Sequence, residues 1–195
     1  TTGKIFNNSA LIYDPSASVL SGLSGATFSP IAPPTYAAGR LFYDSSNESL
    51  TFYNSNSDVA MNVGQESWVR VQNNTGSTIA NGTPVYINGA SGGLPTIALA
   101  QANAISTSMV LGLTTASIAT GTVGYVTTLG LVRNVNTLGY AAGATLNLSA
   151  AITGGLTDGI PVAPNFRVRV GTVGTVNATT GTIMVYPADS VIGAG

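Results

Sequence analysis

The chain contains no histidine, no cysteine and a single lysine, Lys4, with only six Lys and Arg and seven Asp and Glu among 195 residues. Thiolate nucleophiles, disulfides, thiolate or imidazole zinc sites and Ser-His or Cys-His dyads each need a side chain that is missing here. Schiff-base chemistry is excluded from everything beyond Lys4. These absences predict a protein that is not an enzyme and carries no cofactor and no metal.

The scarce charges are also unevenly placed. Asp14, Arg40, Asp44, Glu48, Asp58, Glu66 and Arg70 crowd the first third, whereas Arg133 is the only charged residue from Val71 to Thr157. A solvated monomer surface ordinarily carries about a quarter to a third charged residues. A body this neutral is solubilised by hydroxyls and amides, or it hides surface in contacts. Nucleic-acid binding is disfavoured, because phosphate neutralisation needs clustered Lys and Arg and the densest basic feature is Arg167 and Arg169. The mean hydropathy of +0.33 does not signal a membrane protein. A spanning helix needs about 20 predominantly apolar residues, and Thr, Ser, Asn or Gly interrupts every apolar stretch. The first eight residues show no signal-peptide pattern.

What is abundant is glycine, with 24 residues, alongside 9 prolines and a 44% hydrophobic content. The rest is rich in Thr, Ser and Asn. That mixture suits short strands joined by tight turns, and the usual helix formers are scarce. Residues 1–38 read as an extended attachment arm broken by Pro15, Pro30, Pro33 and Pro34. Residues 39–64 form a connector around a β-hairpin, Arg40–Tyr43 and Ser49–Tyr53, with Asp44–Glu48 as its turn. Leu41 and Tyr43 face one way and Phe42 the other, so both faces of this ribbon are apolar.

Within 65–187, strand candidates recur every 8 to 12 residues or so, the spacing of a sandwich or barrel. They are Trp68–Gln72, Pro84–Asn88, Thr96–Ala100, Met109–Leu113, Gly121–Thr127, Leu129–Asn134, Thr145–Leu148, Arg167–Val173 and Thr182–Tyr186. Alternation names three core faces: Val69 and Val71; Leu146 and Leu148; and Phe166, Val168 and Val170. Asn81-Gly82, Asn88-Gly89, Gly92-Gly93, Gly154-Gly155 and Asp158-Gly159 supply turn chemistry. Between Ala98 and Met109 at most a short turn of helix is expected. Residues 188–195 are a tail. The fold expected is all-β: an antiparallel β barrel or sandwich body preceded by an extended N-terminal arm and a β-hairpin.

Gly89-Ala90-Ser91-Gly92-Gly93 matches the G-x-S-x-G nucleophile elbow, but that motif needs a strand-to-helix context and a histidine. A glycine-rich hairpin turn is the better reading. Carboxylate pairs are the remaining acid-base option. Most of the seven acids lie in the arm, in the hairpin turn or beside glycine, where solvent exposure is expected. Trp68, where the charged region meets the neutral body, reads as a core or interface anchor.

The stretch from Arg40 to Tyr186 resembles phage virion proteins of the capsid-decoration and head- or tail-fibre kind. The resemblance rests on Gly39-Arg40-Leu41-Phe42-Tyr43-Asp44, Val63-Gly64-Gln65-Glu66, Val71–Ile79 with Gly82–Ile87, Leu111-Gly112-Leu113, Gly124-Tyr125-Val126, Gly143–Leu146, Gly154–Thr157, Pro161–Pro164 and Arg169–Val173. It implies a β-rich structural module on the surface of a tailed phage, often trimeric and attached through its N-terminal arm. The expected partners are further copies of the chain as a homotrimer, the major capsid protein and other virion proteins, with no nucleic acid and no membrane. The expected role is capsid decoration (cement) or a short head fibre. A tail fibre or adaptor contacting a host glycan or another tail protein is the alternative. The chain stops soon after Tyr186-Pro187, so no receptor-binding tip is expected. The candidate interface residues are Ile5, Phe6, Leu11, Ile12, Leu41, Phe42, Tyr53 and Trp68, chosen as large apolar residues outside the most regular strands.

Overall fold

A computed structural model describes residues 12–14, 16, 19–21, 25–187 and 192–193. Strands β1 (Ile12–Asp14) and β2 (Val19–Ser21) form an antiparallel ribbon. Strands β3 (Pro30–Ile31), β4 (Leu41–Asp44), β5 (Ser49–Tyr53) and β6 (Ala60–Asn62) form a four-stranded sheet in that order. The expected hairpin is β4–β5, with Leu41 opposite Phe52 and Tyr43 opposite Leu50. Its turn is closed locally: the Asp44 carboxylate accepts from the Ser46 N–H and from Asn47 Nδ2, each at 2.7 Å. Glu48 completes it in the left-handed region at φ 49°. A two-stranded ribbon alone is marginally stable. Here β3 adds in parallel to β4, and β6 adds antiparallel to β5.

The body comprises β7 (Ser67–Asn73), β8 (Pro84–Ser91), β9 (Leu94–Leu99), a single helical turn α1 (Ile105–Ser108), β10 (Gly112–Thr114), β11 (Val123–Val135), β12 (Thr145–Leu148), β13 (Leu156–Thr157), β14 (Phe166–Arg167), β15 (Arg169–Val173), β16 (Gly181–Val185) and β17 (Ile192–Gly193). The all-β expectation holds. Strands pair in the order β10-β8-β9-β7-β11, and β10 also pairs with β11, so these five close into a ring. Beyond the ring, β11 continues into a second sheet with β16, β15, β12 and β13, giving a sandwich-like body. Pairing is antiparallel except at β3–β4 and β7–β9.

Three local readings need correction. Gly121–Thr127 and Leu129–Asn134 are one 13-residue strand, β11. A bulge between Thr127 and Leu129 breaks the alternation, and it is there that the strand leaves β7 and takes up β16. Gly130, at φ 113°, permits the bend; a Cβ there would lie 2.6 Å from the Gln65 carbonyl oxygen. Asn88-Gly89 is not a turn but a bulge inside β8, and Gly92-Gly93 makes the turn instead. The strand expected over Met109–Leu113 begins only at Gly112, because α1 and its exit occupy the preceding residues.

The predicted core faces point inward. Val71 joins Ile79, Val85, Ile97, Ile118 and Val126 within the ring, with Val69 packed beside them. Leu146, Leu148, Val168 and Val170 join Val132, Ile183, Val185 and Leu113 of β10, so the second sheet packs on the β10 side of the ring. Asn147, expected on the open face, is buried and donates from Nδ2 to the Gly159 carbonyl at 3.1 Å.

Tyr140 packs against this second core, and its hydroxyl donates to the Leu156 carbonyl at 3.0 Å. Burial, and secondarily the Asp158 charge, raise its pKa above the ordinary 10.0. A phenol with a raised folded-state pKa contributes its stability fully below the unfolded value and loses it as pH rises through the folded value. Unfolding free energy is therefore expected to fall as pH rises above 10.0, and to fall less steeply in Tyr140→Phe. Denaturant titrations across the alkaline range test this; equal slopes in the two proteins would refute it.

Candidate functional site

The four-stranded sheet has two faces of opposite chemistry, because successive strand residues alternate sides. Phe42, Asp44, Ser49, Thr51, Tyr53 and Asn62 are buried on the inner face. Leu41, Tyr43, Leu50, Phe52 and Met61 occupy the outer one. Leu41 is 43% exposed and the other four are half-buried. Cross-strand register joins them into one patch, with Leu41 against Phe52, Tyr43 against Leu50, and Phe52 against Met61. All five outward positions of β4, β5 and β6 carry large apolar or aromatic side chains.

Behind the sheet lies a cleft of about 210 Å³ with a mixed lining, in which Phe42, Tyr53 and Leu131 stand beside Asp44, Thr51, Asn62, Glu66 and Arg133. Asn62 organises it. Its Oδ1 accepts from Ser49 Oγ at 3.0 Å and Thr51 Oγ1 at 2.9 Å, and its Nδ2 donates to Glu66 Oε1 at 3.2 Å. The same Glu66 oxygen accepts from Arg133 Nη1 in an ion pair. The Glu66 side chain is 2% exposed and that of Arg133 32%. The chain of bonds thus runs from β5 through β6 and Glu66, the residue before β7, to β11, tying the N-terminal sheet to the body. Solvent exposure is the expectation for most of the acids. Asp44 and Glu66 are instead buried, because the first closes the hairpin turn and the second meets the arginine.

Among the expected interface residues, Leu41 lies on the outer face. Phe42 and Tyr53 are interior, their rings 5.0 Å apart. Tyr36 packs on Tyr53 at 5.5 Å, and the Tyr53 hydroxyl donates to the Pro34 carbonyl at 2.9 Å, so these rings fasten segment 34–36 onto the sheet. Trp68 sits edge-on to Tyr125 at 4.4 Å, in a cluster with Val59 and Ala116 that joins the connector to the body. Ile5, Phe6 and Leu11 lie outside the described residues, and Ile12 is described only as the first backbone position of β1. Of the outer-face residues, Tyr43, Leu50 and Phe52 belong to the ribbon expected as an anchor, whereas Met61, and Glu66 with Arg133 in the cleft, are not singled out from sequence. Hairpin alternation points to the ribbon residues. The isolation of Arg133 in a neutral strand is the signal for the ion pair.

Among the described residues, no group of three or more carboxylates is arranged to hold a metal ion, and no helix is long and apolar enough to cross a membrane. Comparison with protein-family models and with curated proteins finds no match to this chain.

Proposed function

We propose that this chain is a structural protein of a tailed-phage particle, a capsid decoration or short head-fibre protein that reinforces the capsid surface. In this reading the N-terminal region attaches to the major capsid protein and the neutral β body stands outward, in a homotrimer. The observation that carries the reading is the apolar outer face of the N-terminal sheet, in the connector that follows the arm to which the resemblance assigns attachment. The scarcity of charge from Val71 to Thr157, where Arg133 stands alone, supports it, since hydroxyl- and amide-rich β surfaces suit repeated contact more than catalysis. One observation favours the tail-fibre or adaptor alternative. The cleft, whose wall sets carboxylates, amides and hydroxyls beside aromatic rings, suits a glycan or a polar partner segment.

Quantitative mass spectrometry of purified particles separates the two. A high copy number in constant ratio to the major capsid protein means decoration, a small number matching tail symmetry means a tail role, and absence from particles ends both readings. Phe52→Asp is expected to leave the circular dichroism spectrum unchanged. It should weaken particle binding by about 2 kcal/mol, roughly thirtyfold in Kd, the loss expected at a central aromatic contact. Unaltered binding by Phe52→Asp would remove the outer face from the attachment surface.

A further inference from the structure

The two Asn-Gly pairs of the chain stand in opposite chemical situations. In such a pair the glycine nitrogen can reach the asparagine side-chain carbonyl carbon, since no Cβ on the second residue hinders close approach. Asn88-Gly89 lies on β8, where Ile87 pairs with Ile97 and Gly89 pairs with Thr96, leaving Asn88 as the extra residue of a bulge. Both residues of the pair are exposed. Thr96, 6% exposed, donates from Oγ1 to Asn88 Oδ1 at 2.8 Å. That oxygen is the atom on which negative charge develops when a nucleophile adds to the side-chain amide. A donor already in place there lowers the barrier.

Asn81-Gly82 has none of these features. Asn81 Nδ2 is held by the carbonyls of Arg133 at 2.8 Å and Asn134 at 3.0 Å. Its Oδ1 is buried with no hydrogen-bond partner, so nothing stabilises an oxyanion there. The Gly82 nitrogen is committed as well, donating to the Thr114 carbonyl at 2.9 Å within a buried residue.

We infer that Asn88 is a self-modification site, converting through a succinimide to aspartate and isoaspartate, while Asn81 stays intact. Solvent base takes the Gly89 N–H proton, and the nitrogen forms a bond to Asn88 Cγ. The Cγ–Nδ2 bond then breaks, and Nδ2 departs as ammonia after gaining a proton from solvent. Water opens the ring at either carbonyl, so the net change is asparagine plus water giving acid plus ammonia. The product adds one negative charge to a chain of formal net charge −1, within a stretch whose only other charge is Arg133. The isoaspartate form also lengthens the main chain by one carbon just before the β8–β9 turn.

The test is incubation of the full-length chain in warm, mildly alkaline buffer, with peptide mass spectrometry of both sites and an unfolded control in concentrated urea. Asn88 should convert about tenfold or more faster than Asn81 in the folded chain, while both convert in urea. Thr96→Val should slow conversion at Asn88 about tenfold, equivalent to about 1.4 kcal/mol of barrier, and Thr96→Ser should retain the rate. Equal conversion at Asn81, an intact Asn88 beside a converting urea control, or an unchanged or faster rate in Thr96→Val would each overturn the assignment.

Discussion

Gly112→Ala is expected to destabilise the fold by about 3 kcal/mol or more, the upper end of overpacking effects, because the obstruction is main chain. A Cβ at position 112 would lie 2.0 Å from the Thr127 carbonyl oxygen and 3.1 Å from Val126 Cγ1. The carbonyl cannot turn aside cheaply, since Thr127 lies in the register that pairs β10 with β11 and closes the ring. Gly112 is not among the glycines at positive φ, so the effect is one of space and not of backbone conformation. Gly121→Ala provides the contrast. That position has φ +72° and nothing within 4 Å of the added carbon, so only left-handed strain of about 1 to 2 kcal/mol applies. Urea midpoints of the two variants measure the difference. If Gly112→Ala unfolds at the wild-type midpoint, the β10–β11 closure is wrong.

Arg133→Ala is expected to cost about 3 kcal/mol. Removing one partner leaves the Glu66 carboxylate buried with only the Asn62 amide donating to it among the bonds described above. Stranding a buried charge in this way costs about 3 to 5 kcal/mol. The lower end applies because the Arg133 side chain is about one-third exposed, which lets water approach. The double variant Glu66→Gln, Arg133→Met removes both charges and should recover most of the loss, since a buried ion pair replaced by neutral groups of similar size is often close to neutral in stability. Urea unfolding of the single and double variants tests this. A loss below about 1 kcal/mol in Arg133→Ala would place the pair with ordinary surface salt bridges, and the cleft would then not be what holds the sheet to the body.

How much of this was legible in the residues depends on the range over which each interaction acts. The β4–β5 hairpin was readable because its cause is local: two apolar alternating runs separated by a turn whose own Asp44 supplies the acceptors. The same alternation distinguished Leu41 and Tyr43 from Phe42. It could not say which of the two apolar faces would be covered, since that depends on where the body docks. Phe42 and Tyr53 therefore looked like surface anchors and proved to be interior. The bulge in β11 was misread for a related reason. A strand that changes neighbours part-way must break its period, and a broken period reads as two strands. Asn88-Gly89 carries turn chemistry, yet its place opposite Thr96 follows from a register set by the whole β8–β9 ladder.

By itself, the sequence determined the absence of thiol and imidazole chemistry, the all-β class, the strand spacing and the alternating core positions, because these follow from side-chain inventory and from periodicities of a few residues. Tertiary structure decided the closure of five strands into a ring, which face of the N-terminal sheet turns inward, and the union of Glu66 with Arg133 across 67 positions. Those outcomes depend on which distant segments meet, and the meeting is selected by the burial of whole faces at once and not by any short pattern.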